Sequence, residues 1–164
     1  GDHRDLHLSI RRQRQMCIRD RLISPEILSL IRSMGHGDKL VLSDANFPSY
    51  SQGNKLYRMD GLNLPQAAEA LLTHFPLDSF VPHPVQRMEI DGKPDEINEV
   101  QQELINTVKK VSGDNWVVGS IERQKFYVEA KKTMAVITTS ETRPYGCFIF
   151  TKGVLKPDGT VWVI

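Results

Sequence analysis

The 164-residue chain holds only two cysteines, Cys17 and Cys147, far apart in sequence, so neither a disulfide framework nor a cysteine-based zinc motif can be built from it. It has no apolar run near the ~18 residues that a membrane helix needs, and its mean hydropathy is −0.34. No membrane span is expected. Its five histidines form no i, i+4 pair beyond His3 and His7, which leaves a metal site without support. "GHGDKL" fits neither G-x-G-x-x-G nor G-x-x-x-x-G-K-[ST], and no nucleophile elbow is present, so nucleotide binding and triad hydrolysis lose their usual signatures.

Charge of one sign is concentrated at the start. "GDHRDLHLSIRRQRQMCIRDR" carries six arginines against three aspartates, leaving fifteen basic and seventeen acidic residues for 22–164. A nucleic-acid arm would use such a stretch. "RRQRQMCIRDR", however, resembles the conceptual translation of a sequencing adapter. Residues 1–21 are therefore expected to be a non-native, disordered tail, set apart from function with Cys17, His3 and His7. Residues 22–164 are expected to form one domain, with no nucleic-acid or membrane partner.

What is present alternates between helix and strand. "LISPEILSLIRSMG" has Ser24 at an N-cap, Pro25 at the first helical position and Gly35 as a stop, predicting a helix over 24–34. "KLVLS" (39–43) has strand length. Residues 49–58 look like a polar loop, and "LPQAAEALLTHF" has helical apolar spacing. "VQRMEI" (85–90) alternates like a half-buried strand. A longer helix is expected over about 94–111, with Ile97, Val100, Leu104 and Val108 inward. Then come a strand at 115–122, a short helix at 123–133, and strands in "MAVITTS", "CFIFTKG" and "TVWVI". That order predicts an α/β fold, layers of helices on a mostly parallel sheet that closes with an antiparallel edge.

The candidate chemistry lies in the turns. His36 sits between Gly35 and Gly37 just past a helix, where it can either cap the helix or project into a cleft. Asp44 follows the next strand, at the kind of strand end where ligands gather in α/β sheets, and one helix–turn–strand unit could bring both side chains to the surface. Asp38, inside the turn, reads as a backbone-bonding aspartate. Arg123 offers a planar fork of donors for a ligand oxygen or an exposed salt bridge; Phe126 and Tyr127 read as core or interface aromatics. Tyr145, beside Gly146, serves equally as a turn residue or as a hydroxyl aimed into a cleft. Histidine, aspartate, arginine and tyrosine together suit a neutral polyhydroxy ligand and proton shuttling.

The blocks "LISPEILSLIRSMGHGDKLVLSDANFP", "YRMDGL", "FPLDSFVPHPV", "IERQKFYVEAKKTMAVITTSETRPYG" and "KGV" occur in an order that resembles the family of D-ribose pyranases and L-fucose mutarotases, over roughly residues 22–156. Arg58, Asp60 and Gly61, the "LDSF" segment and the Arg-x-x-Phe-Tyr at 123–127 look more like the fucose branch. The resemblance implies a three-layer α/β/α sandwich, a cytoplasmic ring-shaped homodecamer, and active sites completed by a neighbouring subunit. It implies an isomerase with no cofactor and no metal that interconverts the anomers of a free monosaccharide. His36 would be the acid/base catalyst, with Asp44, Arg123, Tyr145, Gly146 and Cys147 binding the sugar. D-ribose pyranase activity and a non-catalytic sugar-binding assembly protein are the alternatives. The family usually has Asn where this chain has Cys147, so a sugar contact through that amide would be weakened here. The final "LKPDGTVWVI" runs past the usual family terminus, and Trp162 is expected to cover an edge or an interface.

Overall fold

Residues 22–52 and 54–164 are described by a computed structural model; the basic segment 1–21, with His3, His7 and Cys17, lies outside the described residues. The first helix, α1 (Pro25–Ser33), begins as its punctuation dictates. Ser24 Oγ accepts the Ile27 N–H at 3.4 Å and proline occupies the first turn. Strand β1 (Lys39–Ser43) follows, then a 3₁₀ turn (Ser49–Gln52) and strand β2 (Lys55–Met59).

Helix α2 (Leu64–Leu72) opens with a full capping box between Asn63 and Gln66. Next come β3 (Val85–Met88), α3 (Glu99–Ser112), β4 (Val118–Ile121), α4 (Arg123–Ala130), β5 (Ala135–Thr139) and β6 (Phe148–Thr151).

The six strands form one sheet in the order β2-β5-β1-β6-β3-β4. Five run the same way, and β6 is antiparallel to both of its neighbours, β1 and β3. The antiparallel strand is thus in the middle of the sheet and not at the edge that the sequence predicts. Strand alternation divides the core. Leu40, Leu42, Phe148 and Phe150 face α1, α2 and α3, whereas Val41, Ile149 and Cys147 face α4 and Phe126. The result is a three-layer α/β/α sandwich with, among the described residues, three helices on one face and one on the other. Each fully buried phenylalanine of β6 contributes about 1.5–3 kcal/mol of apolar burial.

Four segments depart from the sequence reading. The polar stretch before Met59 contains β2, which among the described residues pairs with β5 alone; an edge strand with exposed residues shows no apolar alternation to read. Helix α3 starts at Glu99 because Asn98 Oδ1 caps it by accepting the Gln101 N–H at 3.0 Å, and Ile97 is exposed. Residues 115–117 do not join β4, since Trp116 Nε1 is tied to the Ser112 carbonyl at the end of α3. "TVWVI" forms only a single bridge, Leu155 to Val161. No helix among the described residues is long and apolar enough to cross a membrane.

Candidate active site

The parallel strands end at one edge of the sheet, and β6, running oppositely, begins there. Asp44, one residue past β1, is buried, and its carboxylate joins the two strands. Oδ1 accepts the Asn46 N–H at 2.9 Å; Oδ2 accepts the Gly146 N–H at 2.9 Å and the Cys147 thiol at 3.5 Å. Glycine at 146 lets the two strands approach closely here, since a Cβ would lie a tight 3.3 Å from both Asp44 Cβ and Leu64 Cδ2. Burial raises the Asp44 carboxyl above its ordinary value, against the pull of these donors. Burial, and then the Asp44 charge, push the Cys147 thiol well above its usual value, so it is a weak donor rather than a nucleophile.

Tyr145 completes this edge from a left-handed backbone, φ 62°, that non-glycine residues seldom adopt outside functional or tightly held turns. Its hydroxyl donates to Asp91 Oδ1 at 2.6 Å, and Asp91 is itself left-handed at φ 47°. That hydrogen bond to a carboxylate raises the phenol's pKa, opposed by the charge of Arg123. The Tyr145 carbonyl accepts from Gln101 Nε2, which also donates to the Met88 carbonyl.

The loop before Tyr145 is clamped by ion pairs: Arg143 bonds both oxygens of Glu141 at 2.9 Å and Glu103 at 2.8 and 3.1 Å. The Arg143 guanidinium, with the backbone N–H groups of Arg143 and Leu64, holds the Glu141 carboxyl down to about 2.

Arg123 is the first residue of α4 and exposed. Tyr127 lies one turn further along and stacks on Phe47 with centroids 5.7 Å apart. Asp44, Arg123, Tyr145 and Cys147 line one cavity of about 240 Å³, with Asn46, Phe47, Met88, Tyr127 and Pro144. Gly146 contributes through its N–H to Asp44. Cavities of about 460 and 520 Å³ share Trp116 and are lined mainly by apolar side chains, with Lys110 the one ionisable side chain between them, and a third of about 390 Å³ adjoins the site across Phe47, with Tyr50, Arg58 and Thr138 in its wall but no carboxylate. The smallest of these has the chemistry.

His36 is not part of it. The imidazole sits before β1, at the opposite edge of the sheet, separated from Asp44 by the whole strand, about 16 Å at 3.3 Å per residue. One unit does carry both residues, but to opposite ends. Nor does His36 cap α1, because Lys152 Nζ occupies the Ile31 and Met34 carbonyls at 2.6 Å each.

Gly37, at φ 81°, turns the chain and donates to the Lys152 carbonyl. Asp38 bonds the Gly35 N–H at 2.7 Å, the structural part expected of it. His36 Nε2 lies 3.1 Å from Asp78 Oδ1, and its ring meets Phe80 edge-on at 5.2 Å. The histidine side chain is 47% exposed and that of Asp78 only 2%, a buried carboxylate behind an accessible imidazole.

The model of the RbsD / FucU transport protein family matches residues 18–155. The chain belongs to this family. It is 39% identical over 132 residues to an L-fucose mutarotase of Actinobacillus pleuropneumoniae, covering 80% of this chain and 92% of that relative. It is 40% identical over 139 residues to the human fucose mutarotase, covering 82% and 90%. The crystal structure of the Streptococcus pneumoniae fucose mutarotase in complex with L-fucose superposes with a TM-score of 0.75 at 37% identity, covering 82% of this chain and 95% of that one.

Within this family member the cavity at the β1/β6 edge gathers four of the expected residues directly, and the fifth through its backbone. Asp78 was missed by sequence reasoning, as were Gln101 and the Glu141–Arg143–Glu103 clamp. Asp78 lies in the "LDSF" block, but its pairing with a histidine 42 positions away is visible only in the fold. Among the described residues no three His, Cys, Asp or Glu side chains cluster as metal ligands would.

Proposed function

We propose that the chain is a mutarotase that interconverts the α and β anomers of L-fucose or a closely related aldose. The observation that carries this reading is the pair of half-sites. One is a sugar-sized cavity with arginine, tyrosine and carboxylate around stacked aromatic rings. The other is an accessible imidazole held by a buried carboxylate. The fucose mutarotases among its relatives support the same chemistry.

Because the two half-sites lie at opposite edges of the sheet, His36 acts on sugar held in the cavity of a neighbouring copy. Such a contact is head-to-tail, and head-to-tail contacts that close make rings. A ring-shaped homo-oligomer, decameric as the family resemblance implies, follows from that requirement.

In the cavity, Arg123 and the Tyr145 hydroxyl hold sugar oxygens, and Asp44 fixes the Tyr145-Gly146-Cys147 backbone around them. The Cys147 thiol is committed to Asp44, so this position offers sugar its backbone. Since the Asp78 carboxylate accepts from Nε2, the proton of neutral His36 resides there and Nδ1 carries the reactive lone pair. Nδ1 takes the anomeric hydroxyl proton and passes it to O5 as the C1–O5 bond breaks, leaving the open hydroxy-aldehyde and the neutral imidazole. The open aldehyde rotates about C1–C2, O5 adds to its other face, and the proton returns. General acid/base catalysis of this kind supplies about 10² to 10⁴-fold.

Saturation-transfer NMR of anomer exchange with L-fucose, D-ribose and D-galactose tests the reading. Fastest acceleration on L-fucose supports it. Acceleration confined to ribose pyranose–furanose exchange would replace it with the pyranase activity, and sugar binding without accelerated exchange would replace it with a binding protein.

A further inference from the structure

The last nine residues lie beyond the span that the family model matches, which ends at 155. They fold back as a small hairpin. Lys156 N–H donates to the Thr160 carbonyl at 2.8 Å, Leu155 bridges Val161, and Trp162 N–H donates to the Val154 carbonyl at 2.8 Å. Ser79 Oγ then donates to the Trp162 carbonyl at 2.7 Å, pinning the hairpin to the segment that carries Asp78.

The consequence is an aromatic row. The Trp162 ring is 6.4 Å from Phe80, inclined at 55°, and Phe80 is 5.2 Å from the His36 imidazole. Phe80 and Trp162 are 49% and 46% exposed. Two large apolar rings left in water beside an imidazole gain stability when an apolar surface covers them.

We propose that Phe80 and Trp162 form a platform for the C–H-rich face of the sugar, including the C5 methyl of a 6-deoxy-hexose, making Trp162 a specificity residue. This rests on the reading that His36 meets the sugar. A pyranose has hydroxyls at its rim and C–H bonds on its faces. The cavity with Arg123 and Tyr145 suits the rim, and the aromatic row stands where the imidazole would approach the ring. A methyl in place of a hydroxymethyl or hydrogen extends the apolar face, so the platform favours L-fucose over D-arabinose, the pentose that matches it without the methyl.

Two measurements on the full chain test this. In a Trp116→Phe background Trp162 is the one remaining tryptophan, and its emission should shift saturably with L-fucose and far less with D-arabinose. With Trp116 intact, Trp162→Ala should raise the KM for L-fucose about tenfold and that for D-arabinose, which offers the C–H face without the methyl, by only about two- to threefold, an aromatic contact being worth that much in binding. Equal loss on both sugars, or no loss with unchanged emission, overturns the platform. If the wild-type protein itself does not accelerate L-fucose exchange, the failure belongs to the mutarotase reading instead.

Discussion

Replacing Glu141 with glutamine should destabilise the protein by about 3 kcal/mol at neutral pH, and the loss should fade in acid. Glu141 is buried, and its carboxylate accepts the N–H groups of Thr142, Arg143 and Leu64 as well as the Arg143 guanidinium. These partners lower its pKa from 4.5 to about 2. A carboxyl lowered on folding stabilises the native state fully above its unfolded pKa, and that contribution drains away as pH falls to the folded value. The drop corresponds to about 3 kcal/mol at pH 7, lost between about pH 4.5 and pH 2. Glutamine keeps one acceptor oxygen but turns its amide donors toward Arg143.

Urea unfolding at fixed protein concentration reads the effect, because assembly contributes to apparent stability. The variant's midpoint should fall by about 1–2 M at pH 7, and the wild-type and variant curves should converge toward pH 2. Superimposable curves at pH 7, or a gap that persists unchanged into acid, would refute the charge-clamp account. The clamp also holds the loop that leads to Tyr145, so the variant should bind sugar more weakly.

Asp78→Asn retains the shape of the His36 partner but loses the charge that fixes its tautomer. Removing one charge-assisted hydrogen bond, about 1.5–3 kcal/mol, should lower kcat for L-fucose exchange about 10- to 100-fold with little change in KM, by saturation-transfer NMR. In a Cys17→Ser background, Cys147 should react with Ellman's reagent only after unfolding, since the folded thiol is buried and its pKa raised. Rapid labelling of the native protein would refute that environment.

Elements with strong local signals are legible in the sequence: the Ser24-Pro25 start of α1, the apolar run of β1, and the alternation of helix and strand that fixes the layers. What sequence does not supply is pairing. β2 is an edge strand whose polar residues leave no period, and the position of β6 between β1 and β3 depends on contacts far apart in the chain. The candidate site divides in the same way. Asp44, Arg123 and Tyr145 stand out by residue type at element ends and do converge. His36 and Asp44, carried by one helix–turn–strand unit, reach opposite ends of β1, because nearness in sequence along a strand becomes distance in space. The true partner of His36, Asp78, comes from a segment brought alongside by its N–H to the Thr151 carbonyl, at the end of β6.

The central claim is that His36 of one copy serves the cavity of another, and subunit mixing tests it most directly. His36→Ala and Asp44→Asn should each lose nearly all L-fucose exchange when assembled alone. Unfolded together in equal amounts and reassembled, they should recover about a quarter of the wild-type rate, the fraction of junctions that join an intact histidine to an intact cavity in a head-to-tail ring. No recovery in mixed assemblies of normal size would contradict the claim.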